Sequence, residues 1–307
     1  VTHLEQTHLD QTYEDQIPTE QIDLGVVTGS LSPSRAADFK TCPLLYRFRS
    51  VDRLPERPSA PAVRGTVVHA VLEKMFDLPR DQRTPSAARA MVQPAWEQVL
   101  ADDPEMATLF ADDEDGVAVA KWLESAQQLL TTYFELEDPR RFDPTGRELL
   151  VETVLDDGLL LRGYVDRVDT APDGRVRVVD YKTGASPREA FEAKALFQMK
   201  FYALVIWRTT GTIPAQLKLM YLADRDELMY SPDESELVKL EQQLTALWSA
   251  IRRSIDAKEF RPRPSRLCDW CDHKALCPAY GGTPPPFPEE HALSFTINRR
   301  TERPTAD

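Results

Sequence analysis

The sequence predicts an α/β domain in which helices gather around a central mixed sheet. Three observations carry that expectation. The middle of the chain holds three consecutive segments rich in aliphatic residues, "ELLVETVL" (148–155), "LLLRGYVDRVD" (159–169) and "RVRVVDYK" (175–182). Turn chemistry separates them, first Asp156-Asp157-Gly158 and then Pro172-Asp173-Gly174. Segments with apolar residues at helical spacing flank that block on both sides, and 307 residues at 42% hydrophobic are enough to bury a substantial core.

Taken in chain order, residues 1–28 offer few large apolar side chains and no period, so a disordered acidic arm is expected. A single domain is expected over 29–280. It opens at "LSPSRAADFKTCPLLYRF", where Ser32 can cap a helix and Pro33 suits its first turn. The proline-interrupted "LPERPSAPAV" leads into a helix over about 63–76, with Val67, Val68, Val71, Leu72, Met75 and Phe76 at helical spacing. Helices near 86–100 and 116–136 complete a helical insertion over 62–145. The three strands follow, then a long helix over 188–208, the strand "QLKLMYL" (216–222) and a short "ELMY" strand, so that 146–230 forms the sheet and its helix. A helix over 234–258 closes the body. The compact "CDWCDHKALC" lies within 262–280, and a proline-rich tail over 281–307 is expected to wrap back or hang free.

The opening "VTHLEQTHLD" lacks the basic flank and apolar run of a secretory signal, and the densest apolar run, "ALVIW", falls far short of the roughly 20 residues that span a bilayer. A cytoplasmic chain with no membrane partner is expected. It has no G-x-x-x-x-G-K-[ST] sequence, so a helicase or other ATP-driven motor would be a separate chain. The net charge of −13 is unevenly placed. Residues 1–30 carry six acids and residues 101–115 seven, with no Lys or Arg in either stretch, which accounts for the whole excess. Bases outnumber acids from Arg35 to Arg64 and from Arg252 to Arg266. Each stretch is either a solvated charged face or a surface for phosphates.

Asp180 and Lys182 end the third strand two residues apart, so they share a face at roughly 6.6 Å along the chain. An Asp-x-Lys is expected about once by chance in a chain this long, and a surface ion pair is its bland reading. Asp166, fourteen residues earlier on the preceding strand, can lie across the ladder from Asp180 if the Pro-Asp-Gly turn pairs the two strands. Two carboxylates that close call for a cation, and a hard divalent ion such as magnesium or manganese takes such oxygens. His69 lies beside the apolar stripe of its helix, where a histidine is more often a boundary residue than a ligand. Gln198 and Tyr202, four apart, project from one helical face.

The four cysteines form one pattern: Cys268-x2-Cys271-x5-Cys277, with Cys42 standing 226 positions before the first of them. In a cytoplasmic chain such a knot reads as a metal site before it reads as disulfides. Zinc, an iron-sulfur cluster and free thiols of no consequence all remain open on composition alone.

The succession "GTVVH", "GYVDRVD", "VVDYKTG" and "QMKFY" resembles the RecB-type branch of the PD-(D/E)xK nuclease superfamily over about residues 31–280, with Val165 standing where the naming proline would be. The resemblance implies a restriction-endonuclease-like core and a Mg2+- or Mn2+-dependent deoxyribonuclease of DNA repair or recombination, an exonuclease preferring single-stranded DNA. It implies that His69, Asp166 and Asp180 hold the ion, with the Tyr181 carbonyl a fourth ligand. Lys182 would orient or deprotonate the attacking water, Gln198 and Tyr202 would steady that side of the site, and Glu152 would be a supporting acid. The cysteine pattern, with "TCP" and "LCP" at its ends, is similar to that of iron-sulfur nucleases, including the AddB nuclease domain and CRISPR adaptation exonucleases. That likeness implies a 4Fe-4S cluster on Cys42, Cys268, Cys271 and Cys277, joining the N- and C-terminal parts and bringing the two basic stretches together as a rim for single-stranded DNA. Two other classes compete. A non-cutting scaffold subunit of a recombination or CRISPR adaptation complex has no need of Lys182, and a redox-sensing cluster protein leaves the carboxylates unexplained.

Overall fold

The computed structural model describes residues 27–113, 115–186 and 189–289. The expected acidic arm, up to residue 26, and the tail beyond residue 289 lie outside them. Among the described residues six strands form one mixed sheet: β1 (Gly29–Leu31), β2 (Gly146–Val154), β3 (Leu159–Thr170), β4 (Val176–Lys182), β5 (Gln216–Tyr221) and β6 (Asp226–Tyr230). The two turns legible in the sequence close antiparallel hairpins, β2 to β3 and β3 to β4, with Gly158 and Gly174 at φ of 80° and 84° where an L side chain would be strained.

Strand β3 is the hub. β2 lines one of its edges from Leu160 to Val168, whereas the other edge is shared end to end by β1, parallel against Leu159–Leu161, and β4, antiparallel against Arg167–Thr170. Among the described residues no strand covers 162–166 on that second edge, so the sheet parts beside Asp166. The short β1 carries no periodicity that a sequence could show. It is fixed from outside: a Cβ on Gly29 would lie 1.9 Å from Cζ2 of Trp248.

Helix α1 (Pro33–Thr41) is capped by Ser32, whose hydroxyl accepts from the Arg35 amide, and α2 (Pro43–Tyr46) follows directly after Cys42. Helix α3 (Ala60–Met75) starts ahead of its apolar pattern because Ser59 caps it. The helix expected near 86–100 is two, α4 (Pro85–Ala90) and α5 (Val92–Asp102). Pro94 has no amide hydrogen and its ring would meet the carbonyl of Ala90, so one continuous helix cannot pass. Helix α6 (Val117–Leu136) completes the helical layer, α7 (Glu189–Thr210) is the crossover between parallel β4 and β5, and α8 (Glu234–Asp256) starts from an Asp233/Glu236 capping box.

Two apolar cores sandwich the sheet. On one face Val168, Val178 and Leu219 pack with Phe39 of α1, Phe201 of α7 and Leu244 and Trp248 of α8. On the other, Val179, Tyr181 and Met220 pack with Val68 and Leu72 of α3, Trp96 of α5 and Leu130 of α6. Beyond α8 the chain returns to α1 and α2. Phe260 stacks on Tyr46 at 6.5 Å, Phe287 stacks on Phe260 at 6.2 Å, and Arg47 donates to the Pro285 carbonyl at 2.5 Å, so the described part of the proline-rich tail wraps back.

Candidate active site

Extended by one pair, the β3–β4 register would set Asp166 opposite Asp180, but the ladder stops at Arg167 and Val179. Oδ2 of Asp166 instead accepts the Tyr181 amide at 2.7 Å. Val165 and Val168 are both buried in the α7-side core although they are three positions apart, so the alternation of β3 shifts between them, beside Asp166.

Strand β2 brings up an acid that the sequence reading passed over. Arg147 faces Arg167 and Leu149 faces Val165, which puts Glu148 level with Asp166. Its φ of 41° is uncommon for a residue with a side chain, and strain of that kind gathers at functional positions. Glu152, the acid expected on this strand, lies opposite Arg162, four residues along β3 from Asp166. Glu148, not Glu152, is the β2 acid that stands beside His69 and Asp166.

His69 approaches from the opposite layer. A Cβ on Gly65, one turn earlier in α3, would lie 3.2 Å from Oγ1 of Thr183, and the missing side chain lets the helix close on the end of β4. Nε2 of His69 donates to the Tyr181 carbonyl at 3.0 Å, while Nδ1 stands 3.6 Å from Asp166 and 3.7 Å from Glu148. One ligand atom from each of His69, Glu148 and Asp166 lies within 4.8 Å of the others. Burial alone would lower the histidine's pKa, but Asp166 and Glu148 outweigh it and push the value up to about 10. The imidazolium thus occupies a place that two carboxylates have prepared for a cation.

Asp180, Lys182, Gln198 and Tyr202 form a second group. Asp180 is buried, with Oδ2 2.5 Å from Nζ of Lys182 and Oδ1 accepting from Nε2 of Gln198 at 3.0 Å. Oε1 of Gln198 accepts from Lys182 at 3.0 Å, and its Nε2 also donates to the Tyr202 hydroxyl at 3.0 Å. Burial, and then the charge of Asp166, push Asp180 up to about 6 against the pull of Lys182. Tyr181 joins the two groups, because its amide serves Asp166 and its carbonyl serves His69 while its neighbours Asp180 and Lys182 point the other way. Its hydroxyl is anchored in turn by the buried Arg167 at 2.7 Å, which Glu137 and Asp169 neutralise.

All four cysteines line one cavity of about 50 Å³ between the α1–α2 junction and residues 262–280. The amides of Arg263 and Ser265 point at the sulfurs of Cys42 and Cys268, at 3.4 and 3.3 Å. Among the described residues no three cysteine sulfurs lie within 4.8 Å of one another. The Tyr280 hydroxyl and the Ser265 amide hold the Cys268 thiol below its ordinary pKa, whereas burial, with Cys268 and Cys42 nearby, raises that of Cys271. Arg263 also donates to the Lys40 carbonyl at 2.6 Å, so the two basic stretches meet here.

The family model described as the PD-(D/E)XK nuclease superfamily matches residues 30–278. Two curated relatives are both called Gene 69 protein. The one from Mycobacterium phage D29 is 26% identical over 277 residues, covering 81% of this chain and 96% of its own length. The one from Mycobacterium phage L5 is 24% identical over 294 residues, with the same coverage. A solved Eubacterium rectale structure, named as a candidate exonuclease, superposes with a TM-score of 0.52 over 86% of this chain and 91% of its own, at 13% identity, which establishes a common fold.

Proposed function

Because the chain belongs to the PD-(D/E)XK nuclease superfamily, whose substrates are nucleic acids, we propose that it is a divalent-metal-dependent deoxyribonuclease, an exonuclease that works on single strands in DNA repair or recombination. One observation carries this reading: the His69, Glu148 and Asp166 donors converge on one side of Tyr181 while Asp180 and Lys182 are paired on the other. The donor set fits a hard ion, since two carboxylates and an imidazole face a common point and the histidine already carries a compensating charge. His69, Glu148 and Asp166, with the Tyr181 carbonyl, are the groups assigned to hold Mg2+ or Mn2+, and Asp180, assigned to the same ion, would reach it only by turning from Lys182. When bound, such an ion supplies charge neutralisation at the phosphate and a more acidic water.

The chain's own residues do the rest. Lys182 is fixed at the mouth of the site by Asp180 and Gln198, so its ammonium is oriented before substrate arrives. It positions the attacking water and offsets the negative charge that grows on the phosphate as the new P–O bond forms and the old one breaks. Gln198 ties Asp180, Lys182 and Tyr202 into one unit, which keeps their mutual geometry through the reaction.

The four cysteines are assigned to a 4Fe-4S cluster. Four thiols facing one cavity could hold zinc or a cluster, and the likeness of the cysteine pattern to that of iron-sulfur nucleases favours the cluster. No described helix is long and apolar enough to cross a membrane, and we place the chain in the cytoplasm, where thiols stay reduced. A helicase or recombination protein is the partner proposed to supply unwound DNA. The test is digestion of end-labelled single- and double-stranded DNA with Mn2+. Shortening of the single strand that disappears on chelation and in Asp180→Ala is expected, and manganese-independent cutting, or none at all by the wild type, would defeat the reading.

A further inference from the structure

The groove that opens at Lys182 has a wall that hydrolysis itself does not use. We propose that Tyr164 on that wall is a base-stacking residue through which the site selects an unpaired strand; the inference rests on the nuclease reading above and deepens it. Tyr164 is 56% exposed although it lies on the hub strand, two residues before Asp166. Among the described residues it is one of six large apolar side chains left open to solvent, and the one of them that lines this groove. Among the same residues it enters no aromatic pair and no contact with a cation.

Its surroundings suit a nucleotide. The groove encloses about 770 Å³, more than a reacting phosphate needs and within the range of pockets that hold ligands of nucleotide size. Ser32 and Ser34 supply hydroxyls on one side and Phe197 a second ring, with the Lys40 ammonium 4.2 Å from its centre. Asp38 is the acid on the wall, and Arg49 neutralises it at 2.8 Å. Next to Tyr164, Gly163 leaves room for the ring of Tyr202, whose Cε1 would lie 2.8 Å from an added Cβ, and both tyrosines line the groove with Lys182 and Gln198.

A phosphate bound between Asp166 and Lys182 leaves the neighbouring base beside this ring. Inside a duplex both faces of a base are covered, and at its end one face and the pairing edge still are, so a base free of its pairing partner and neighbours lies on Tyr164 most readily. Stacking of this kind is tolerant of sequence. The chain should therefore discriminate by strandedness rather than by base identity.

The experiment uses the 307-residue Asp180→Asn chain, expected to bind without cutting, and fluorescence anisotropy with three probes: an oligothymidylate, an abasic strand of the same length and a blunt duplex. Adding Tyr164→Ala should weaken the oligothymidylate complex roughly five- to a hundredfold and leave the abasic strand and the duplex unchanged, while Tyr164→Phe should match the parent. Unchanged oligothymidylate affinity in Tyr164→Ala, or an equal loss on the abasic strand, would overturn the stacking role. A parent protein that binds none of the three probes would overturn the nuclease reading and this inference with it.

Discussion

At the scale of single residues the site is a set of charges that oppose each other until a cation arrives. Asp180 takes up its proton more readily in the folded chain than in the unfolded one, because burial and Asp166 penalise its charge. Its contribution therefore has a definite sign: neutral below the ordinary carboxylate value near 4, it costs stability as pH rises through about 6. Asp180→Asn should raise the melting temperature of the metal-free protein at pH 7 to 8, by the equivalent of about 1–3 kcal/mol, and the gain should fade towards pH 4. A scan of melting temperature against pH for both proteins checks this. A variant less stable at every pH would mean that the ion pair with Lys182 outweighs the burial of the charge. The gain in stability would coincide with loss of cutting, as expected where binding groups are held against their own preference.

At the scale of elements, the strands and helices hold these residues through a few close approaches. Gly163 is the one that bears on the Gln198 and Tyr202 group, since a methyl group there would press on Tyr202 and also stand 3.4 Å from Cδ of Pro33. Gly163→Ala should cost about 1–3 kcal/mol of stability and, by displacing Tyr202 from Gln198, slow single-turnover cleavage about tenfold at saturating substrate. Wild-type turnover in the variant would show that Tyr202 does not position Gln198. This scale also explains what could be read from sequence. Asp166, Asp180 and Lys182 stand in strands whose turns and β-branched runs are local signals, and Gln198 with Tyr202 needs only the helical repeat. Glu148 was hidden because one acid in an amphipathic strand resembles any other. The signal that could have found it was the Asp156-Asp157-Gly158 turn, which fixes the β2–β3 register and so names the partner of Asp166. Strand β1 was out of reach for a different reason, since three residues lying on β3 owe their conformation to Trp248 and not to their own sequence.

At the scale of the whole molecule, segments from early and late in the described chain, 40–56 and 260–273, close on each other beside the sheet. Contacts between Tyr46 and Phe260, Lys40 and Arg263, and Glu56 and His273 join them. A cluster on Cys42 and the three late cysteines would add a cross-link between segments more than two hundred positions apart, and so stabilise the folded state. Protein purified without oxygen should be brown and contain iron, and Cys42→Ser should lose the colour and melt at a lower temperature while still folding. A colourless wild-type preparation carrying one zinc per chain would reverse that assignment.

The ion itself is the most direct test of the account. Titration of Mn2+ into the metal-free chain, followed by the electron paramagnetic resonance of the free ion, should reveal a binding site that is lost or weakened at least tenfold in both Glu148→Gln and Asp166→Asn, with protons released as His69 gives up its charge. Uptake equal to wild type in both variants would contradict the claim that these two carboxylates and the imidazole beside them were brought together to hold a metal.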